Sequence, residues 1–305
     1  MKKTLLFLLV SLLVALVAAC GAEEQDVQED ANTTQVGSEV ETNVEEDKTI
    51  TFGLTTWTST EAPTEIAKII LEEAGYEVDF VTVDQPVIFT GIVEQEIDFF
   101  MDAWLPHTEA NLWAKYEDDL QKVATSYEEV PLGWVVPSYV EEDYIEDLIG
   151  QADKFDNRVV TIAPGAGIVA LSQDVMEDYN LNDEYQLLTS SEVAMIAELE
   201  NKVSREEPVI ITGWRPHSMF AQYDLKFLED TRGHFELDNV YVISYQGLED
   251  VKPAAYNIMS NWSIEVSDLE EMMLAYEQDG ISFEVLAEQW VEENRDKVDA
   301  MLENK

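Results

Sequence analysis

One cysteine, three histidines and 17 basic side chains stand against 64 acidic ones in the 305 residues of this chain. A single thiol excludes an intramolecular disulfide, and with it any zinc site built on two or more thiolates. The histidines, at 107, 217 and 234, are too scattered for a three-histidine metal centre, and neither an HExxH nor a GxSxG segment occurs. Neither a metal nor a cofactor is expected, and no catalytic residue stands out. The shortage of basic residues leaves a formal net charge of −47. Such a surface repels nucleic acid and anionic head groups and stays hydrated at high salt, so a nucleic-acid partner is not expected. The acidity points to a salty or alkaline habitat more than to a site.

What is present is enough for a large core. With 46% apolar and 10% aromatic residues, the chain reads as a globular protein of two lobes preceded by a disordered piece. Residues 1–20 begin Met1-Lys2-Lys3, continue as an apolar stretch over 5–19 and end at Cys20. A cationic start and an apolar run too short to span a bilayer describe a secretory signal. Its end, Leu16-Val17-Ala18-Ala19-Cys20-Gly21, resembles a bacterial lipobox, which implies cleavage before Cys20 and lipid on its sulfur. Residues 21–47 are acidic and polar, with no aromatic and no periodicity, and read as a flexible tether.

From residue 48 the pattern alternates. A strand over 49–54, a helix over 62–74 closed by Gly75, and a strand over 76–83 form one unit. A helix over 87–94 and a strand over 97–101 repeat it, and 111–116 is helical. The segment 131–140 is a strand bounded by prolines, with the first crossing between lobes near 137–140. A second set follows: strand 158–163, helix 165–179, strand 185–188, helix 191–201 and strand 209–212. The strand 240–245 carries the chain back, and 253–259 and 269–298 are packing helices. The expected organisation is an α/β fold with a mixed, mostly parallel sheet flanked by helices in each lobe. Lobe one takes 48–139 plus 250–305, and lobe two takes 140–249.

Two segments share a pattern. Ile210-Ile211-Thr212-Gly213-Trp214-Arg215-Pro216-His217 and Phe100-Met101-Asp102-Ala103-Trp104-Leu105-Pro106-His107 both read strand, small residue, Trp, x, Pro, His. Strand carboxyl ends are where open α/β sheets bind ligands. Trp57 follows the strand over 49–54. Any one of these tryptophans alone fits a core position; three at strand ends, beside polar loop residues, suggest a cage for a quaternary ammonium ion. Rings at roughly 0.5–2 kcal/mol each supply at most ~6 kcal/mol in total. Micromolar binding needs about −8.2 kcal/mol. The remainder is assigned to an anion site at the turn Pro164-Gly165-Ala166-Gly167-Ile168, where the N–H groups of Gly167 and Ile168 open a helix. That turn also fits the permissive dinucleotide pattern GxGxxA, but no acidic residue ends the following strand. A zwitterion carrying ammonium and carboxylate suits both sites. His107 and His217 are candidate donors to the same carboxylate. Trp113 reads as core or surface, Trp262 and Trp290 as core packing, and Asp98 and Asp102 as a solvated strand end in preference to an acid–base pair.

These residues resemble the substrate-binding lipoproteins of glycine betaine ABC transporters. The resemblance covers 49–302 and rests on Trp57, Asp102-Ala103-Trp104-Leu105-Pro106, Gly133-Trp134-Val135-Val136-Pro137-Ser138-Tyr139, the Gly167-Ile168 turn and Thr212-Gly213-Trp214-Arg215-Pro216-His217. It implies a two-lobed, type II periplasmic-binding-protein-like fold, with Trp57, Trp104 and Trp214 around the trimethylammonium head and the amides of Gly167 and Ile168 on the carboxylate. Some members add a histidine after Trp-Leu-Pro; here His107 is near, and Glu109 takes the position where that histidine is expected. Choline-binding relatives tend to carry an acid two residues after the first Trp, and Ser59 stands there instead, which favours a carboxylated ligand.

The implied protein is membrane-anchored through Cys20 on the extracytoplasmic side. It captures glycine betaine or a related osmoprotectant for an ABC permease and ATPase, without catalysis. Choline or carnitine is the alternative ligand. A surface-anchored hydrolase would need a nucleophile and base that are not evident, and a sensor domain would use the same closure.

Overall fold

Alternating apolar side chains place Ile50, Phe52 and Leu54 of strand β1 (Thr49–Leu54) in the core. The computed structural model describes residues 48–303; the expected signal, tether and lipidated Cys20 lie outside them. Helix α1 (Thr58–Glu73) follows, then β2 (Glu77–Thr82), parallel to β1 from Thr49↔Glu77 to Leu54↔Thr82. Next come α2 (Gln85–Val93) and β3 (Phe100–Leu105), which is buried at every position. A parallel bridge from Phe52 to Phe99 sets β3 beside β1. After α3 (Ala110–Tyr116), β4 (Leu120–Val130) leads directly to β5 (Leu132–Pro137).

The second set comprises β6 (Arg158–Thr161), α4 (Gly167–Asp178), β7 (Gln186–Thr189), α5 (Glu192–Val203), β8 (Ile211–Trp214), α6 (Met219–Gln222) and β9 (Leu225–Phe227). The chain then runs through β10 (Asp238–Tyr245), α7 (Leu248–Val251), α8 (Pro253–Ser260), α9 (Val266–Asp279), α10 (Phe283–Glu293) and α11 (Arg295–Leu302). Strands β3, β10 and β4 form an antiparallel ladder in the order β3-β10-β4. The other sheet has the order β7-β6-β8-β5-β9; β6 is parallel to β7 and β8, and β5 is antiparallel to β8 and β9. The β1-β2 pair and the β3-β10-β4 ladder with their helices form one lobe, around Phe52, Phe89, Phe99 and Phe100, and the five-stranded sheet with its helices forms the other, around Trp134, Phe155, Val175, Tyr179 and Ile210. Truncating a phenylalanine buried like these costs about 3–5 kcal/mol.

Both expected crossings move. The strand over 132–137 pairs with β8 and β9, so the chain has already changed sheets at Pro131, ahead of the crossing expected near 137–140. Residues 238–245 pair with β3 and β4, so the return lies between β9 and β10 and ahead of residue 250. The reason is chemical: a proline lacks the ladder N–H and bounds a strand equally well at either end, so Pro131 and Pro137 do not reveal which end is the crossing. Strand β4 has no counterpart among the sequence expectations. Its pairing with β10 shifts register between Asp238 and Val240, between Val240 and Tyr241 and between Val242 and Ile243. Each irregularity breaks the period-two alternation by which a strand is read.

Trp262 and Trp290 are buried, as a core reading expects, and donate to Ser126 Oγ and Asp268 Oδ2, each at 2.9 Å. Asp98 is not solvated. It is 4% exposed, accepts from Thr51 N at 2.8 Å and pairs with Lys252 Nζ at 2.8 Å, ligatures that a buried carboxylate requires.

Candidate binding cavity between the lobes

Three strand or helix boundaries aim indoles at one space. Trp57 is the residue before α1, with extended backbone (φ −101°, ψ 140°). Trp104 lies near the end of β3, and Trp214 ends β8. All three line one cavity, together with Gly167 and Ile168 at the start of α4 and with Ser59, Thr108, Glu109, Leu132, Ile162 and Ala166. The first lobe therefore brings Trp57 and Trp104, and the second brings Trp214, Gly167 and Ile168. The repeated Trp-x-Pro motif is repeated in the backbone, since Leu105–Pro106 and Arg215–Pro216 are both cis.

The two motif tryptophans are held differently. Trp104 Nε1 donates to Asp102 Oδ1 at 2.7 Å, while Asp102 Oδ2 accepts from Ser59 Oγ at 2.9 Å and Thr60 Oγ1 at 2.7 Å. The sequence reading of Asp102 as a solvated strand end is thus overturned, because its carboxylate is 1% exposed and enclosed by donors. Burial raises its pKa, and the three hydrogen bonds hold that rise back. The backbone N–H of Trp104 donates to Glu109 Oε2, and Gln85 Nε2 donates to Glu109 Oε1 at 2.7 Å. Burial pushes the Glu109 carboxyl well above the usual range, with Asp102 and Asp238 adding to the rise. Trp214, by contrast, has a buried Nε1 with no hydrogen-bond partner. Its ring meets His217 edge to face at 5.1 Å and 77°.

Gly167 is required by a close approach. A Cβ there would stand 2.6 Å from the carbonyl oxygen of Thr108, which belongs to the opposite lobe. Thr108 itself is fastened by its N–H and hydroxyl to Asp238 Oδ2, at 2.8 and 2.6 Å. No side chain caps α4, whose N-cap is Ala166, so its first N–H groups and positive dipole end face the cavity and suit an anion.

The histidines separate. His217 is 1% exposed; its Nδ1 accepts from Met219 N at 3.1 Å, which leaves the neutral ring's proton on Nε2. That Nε2 lies 3.4 Å from Glu192 Oε1. The ring packs behind Trp214 and does not itself line the cavity. His107 is not brought to the cavity either: its side chain is 35% exposed and faces Glu236, with Nδ1 3.6 Å from Oε1. Its N–H donates to Asp238 Oδ1 at 2.7 Å, and this turn sends His107 outward while Thr108 and Glu109 become wall. Strand periodicity does not extend through such a turn, so Thr108 carried no signal, and Glu109 was marked only by occupying an expected histidine position.

Comparison with known proteins places the chain in a family. The family described as the substrate binding domain of ABC-type glycine betaine transport systems matches residues 48–293. The glycine betaine/carnitine transport binding protein GbuC of Listeria monocytogenes is 36% identical over 148 residues, 48% of this chain and 49% of that protein. The match thus spans about half the length of that curated relative. The crystal structure of lactococcal OpuAC, closed and complexed with glycine betaine, superposes with a TM-score of 0.79 at 32% identity, covering 84% of this chain and 100% of that one. The glycine/betaine/L-proline-binding protein ProX of Borrelia burgdorferi gives 0.80 at 28% identity, covering 82% and 95%. A choline-binding protein in complex with choline, at 24% identity and a TM-score of 0.79, shares the fold. With the matching family spanning both lobes and the cavity between them, this chain belongs to the substrate-binding domains of ABC-type glycine betaine transport systems.

Proposed function

We propose that this protein captures glycine betaine, or a related carboxylated quaternary ammonium compound, outside the cytoplasm and hands it to an ABC permease driven by its ATPase. The observation that carries this reading is the joint lining of one cavity by Trp57, Trp104 and Trp214 with the start of α4 at Gly167 and Ile168. Ring faces attract a methylated cation that cannot donate hydrogen bonds, and the helix start receives the carboxylate. A ligand touching both lobes favours the closed arrangement by its differential affinity for it. The chain acts by binding and release, and no bond of the ligand is made or broken.

Lipid on Cys20 would hold the protein at the membrane, in keeping with the position of this one cysteine directly after an apolar run. Ser59 in the wall, where an acid would suit choline's hydroxyl, favours the carboxylated ligand. A second reading, choline, is favoured by the Glu109 carboxyl in the same wall.

Calorimetric titration with glycine betaine, carnitine and choline tests the proposal. The expected result is saturable binding of betaine in the micromolar range, about −8 kcal/mol, with choline weaker. Gly167→Ala should weaken betaine binding by about a hundredfold or more, because the added methyl would meet the Thr108 carbonyl of the opposite lobe. Silence of the unaltered protein toward all three compounds would refute the reading.

A further inference from the structure

Glu192 opens α5 in the second lobe and is 4% exposed. Its carboxylate takes its hydrogen bonds from the first lobe. Oε1 accepts from Thr58 Oγ1 at 2.7 Å, and Oε2 accepts from Thr58 N at 3.2 Å. Thr58 is the first residue of α1, and the residue before it, Trp57, supplies no side-chain cap to that helix. The N-terminus of α1 is thus capped from across the cleft, by a group 134 positions away in the chain. A carboxylate at that end also meets the positive end of the helix dipole.

On its other side Glu192 lies 3.4 Å from Nε2 of His217, a buried nitrogen with no hydrogen-bond partner. The ring of His217 in turn packs edge to face on Trp214. One carboxylate therefore stands behind two rings of the cavity, beside Trp57 through Thr58 on one side and beside Trp214 through His217 on the other. The surroundings are otherwise unfavourable to it. Glu61, Glu277 and Asp102 are near enough that the charge of Glu192 acts on each of them. A buried acid in so acidic a setting persists only where its donors are supplied, and these donors come from the opposite lobe. Separation of the lobes returns Glu192 to water and leaves α1 uncapped.

We propose that Glu192 is a positioning residue for ligand capture, joining the lobes by capping α1 so that closure sets Trp57 in place opposite Trp214. The inference rests on the ligand reading given above. Because the bond joins residues of the two lobes, it belongs to the closed arrangement, and on this proposal its loss is felt chiefly in the complex.

The test uses Glu192→Ala and Glu192→Gln in the intact protein, with stopped-flow tryptophan fluorescence for betaine binding and release and thermal unfolding without ligand. For Glu192→Ala, the release rate should rise about tenfold while the association rate changes by less than about twofold, since complexes that differ in closing contacts differ mainly in dissociation. The ligand-free melting temperature should stay unchanged, and Glu192→Gln, which keeps the acceptor oxygen, should restore most of the loss. An unchanged release rate in Glu192→Ala would overturn the proposal. So would a matching fall in the ligand-free melting temperature, because the contact would then support the fold whether or not the lobes are closed. Absence of betaine binding by the unaltered protein would overturn the ligand reading and the positioning role together, whereas normal binding left intact by both variants removes the positioning role alone.

Discussion

The segments 104–107 and 214–217 carry the same Trp-x-Pro-His pattern, the same cis proline and tryptophans of equal 5% exposure, yet their surroundings differ. Trp104 is tied at the indole to Asp102 and at the backbone to Glu109, both buried carboxylates. Trp214 has no partner for its indole N–H and leans on a histidine ring. The histidines follow suit: His107 turns out toward Glu236, while His217 is enclosed beside Glu192. A repeated motif thus specifies where a ring stands at a strand end, and its neighbours in space determine how firmly the ring is held. The first wall is braced by hydrogen bonds to two buried acids. The second is held by ring packing against His217.

That contrast can be broken most directly at the two rings. Trp104→Ala and Trp214→Ala each remove one cage face, so each should lower betaine affinity by about fivefold or more in calorimetry. Only Trp104→Ala deprives a buried carboxylate of a donor, so denaturant unfolding should show it about 1–3 kcal/mol less stable than Trp214→Ala. Equal stabilities would erase the difference between the walls. A smaller effect is expected at the histidines. His217→Ala should cost about threefold in affinity, and His107→Ala less than about twofold, because a partly exposed side chain outside the cavity has little to lose. The reverse order, measured with the same ligand, would put the exposed histidine back in the site.

The smallest effect concerns Glu109. Burial raises its carboxyl above 4.5 in the folded state. Above pH 4.5 the unfolded chain has released a proton that the folded protein still holds. The associated stability is therefore fully present below that pH and lost as pH rises through the folded value. Glu109→Gln should flatten this fall, with a difference from the unaltered protein on the order of 1 kcal/mol in urea unfolding across the window. Parallel curves would mean that the wall behind Trp104 carries no such strained acid.

Much of the site was legible because it depends on residue type at a local boundary. Trp57, Trp104 and Trp214 at strand ends and Gly167-Ile168 at a helix start are features that periodicity and turn chemistry expose. Strand β4 was not legible, since its irregular pairing with β10 breaks the alternation that marks a strand. Nor were the crossings, since prolines at 131 and 137 bound β5 alike. Asp102 read as a solvated acid because nothing in its neighbours along the chain announces that Ser59 and Thr60 will enclose it.

Glu192 marks the same boundary most clearly. Along the chain it is an acid in the first turn of a helix behind a serine cap, a common and self-sufficient arrangement. In the folded protein it caps a different helix in a different lobe. By itself the sequence determined most strands and helices of each repeating unit, the tryptophans at element boundaries and the glycine turn, because these follow from backbone propensities and side-chain types within a few residues. Tertiary structure alone decided which carboxylates are buried, which histidine faces inward and what holds the lobes together, because those outcomes depend on the water excluded and the donors met when distant segments pack.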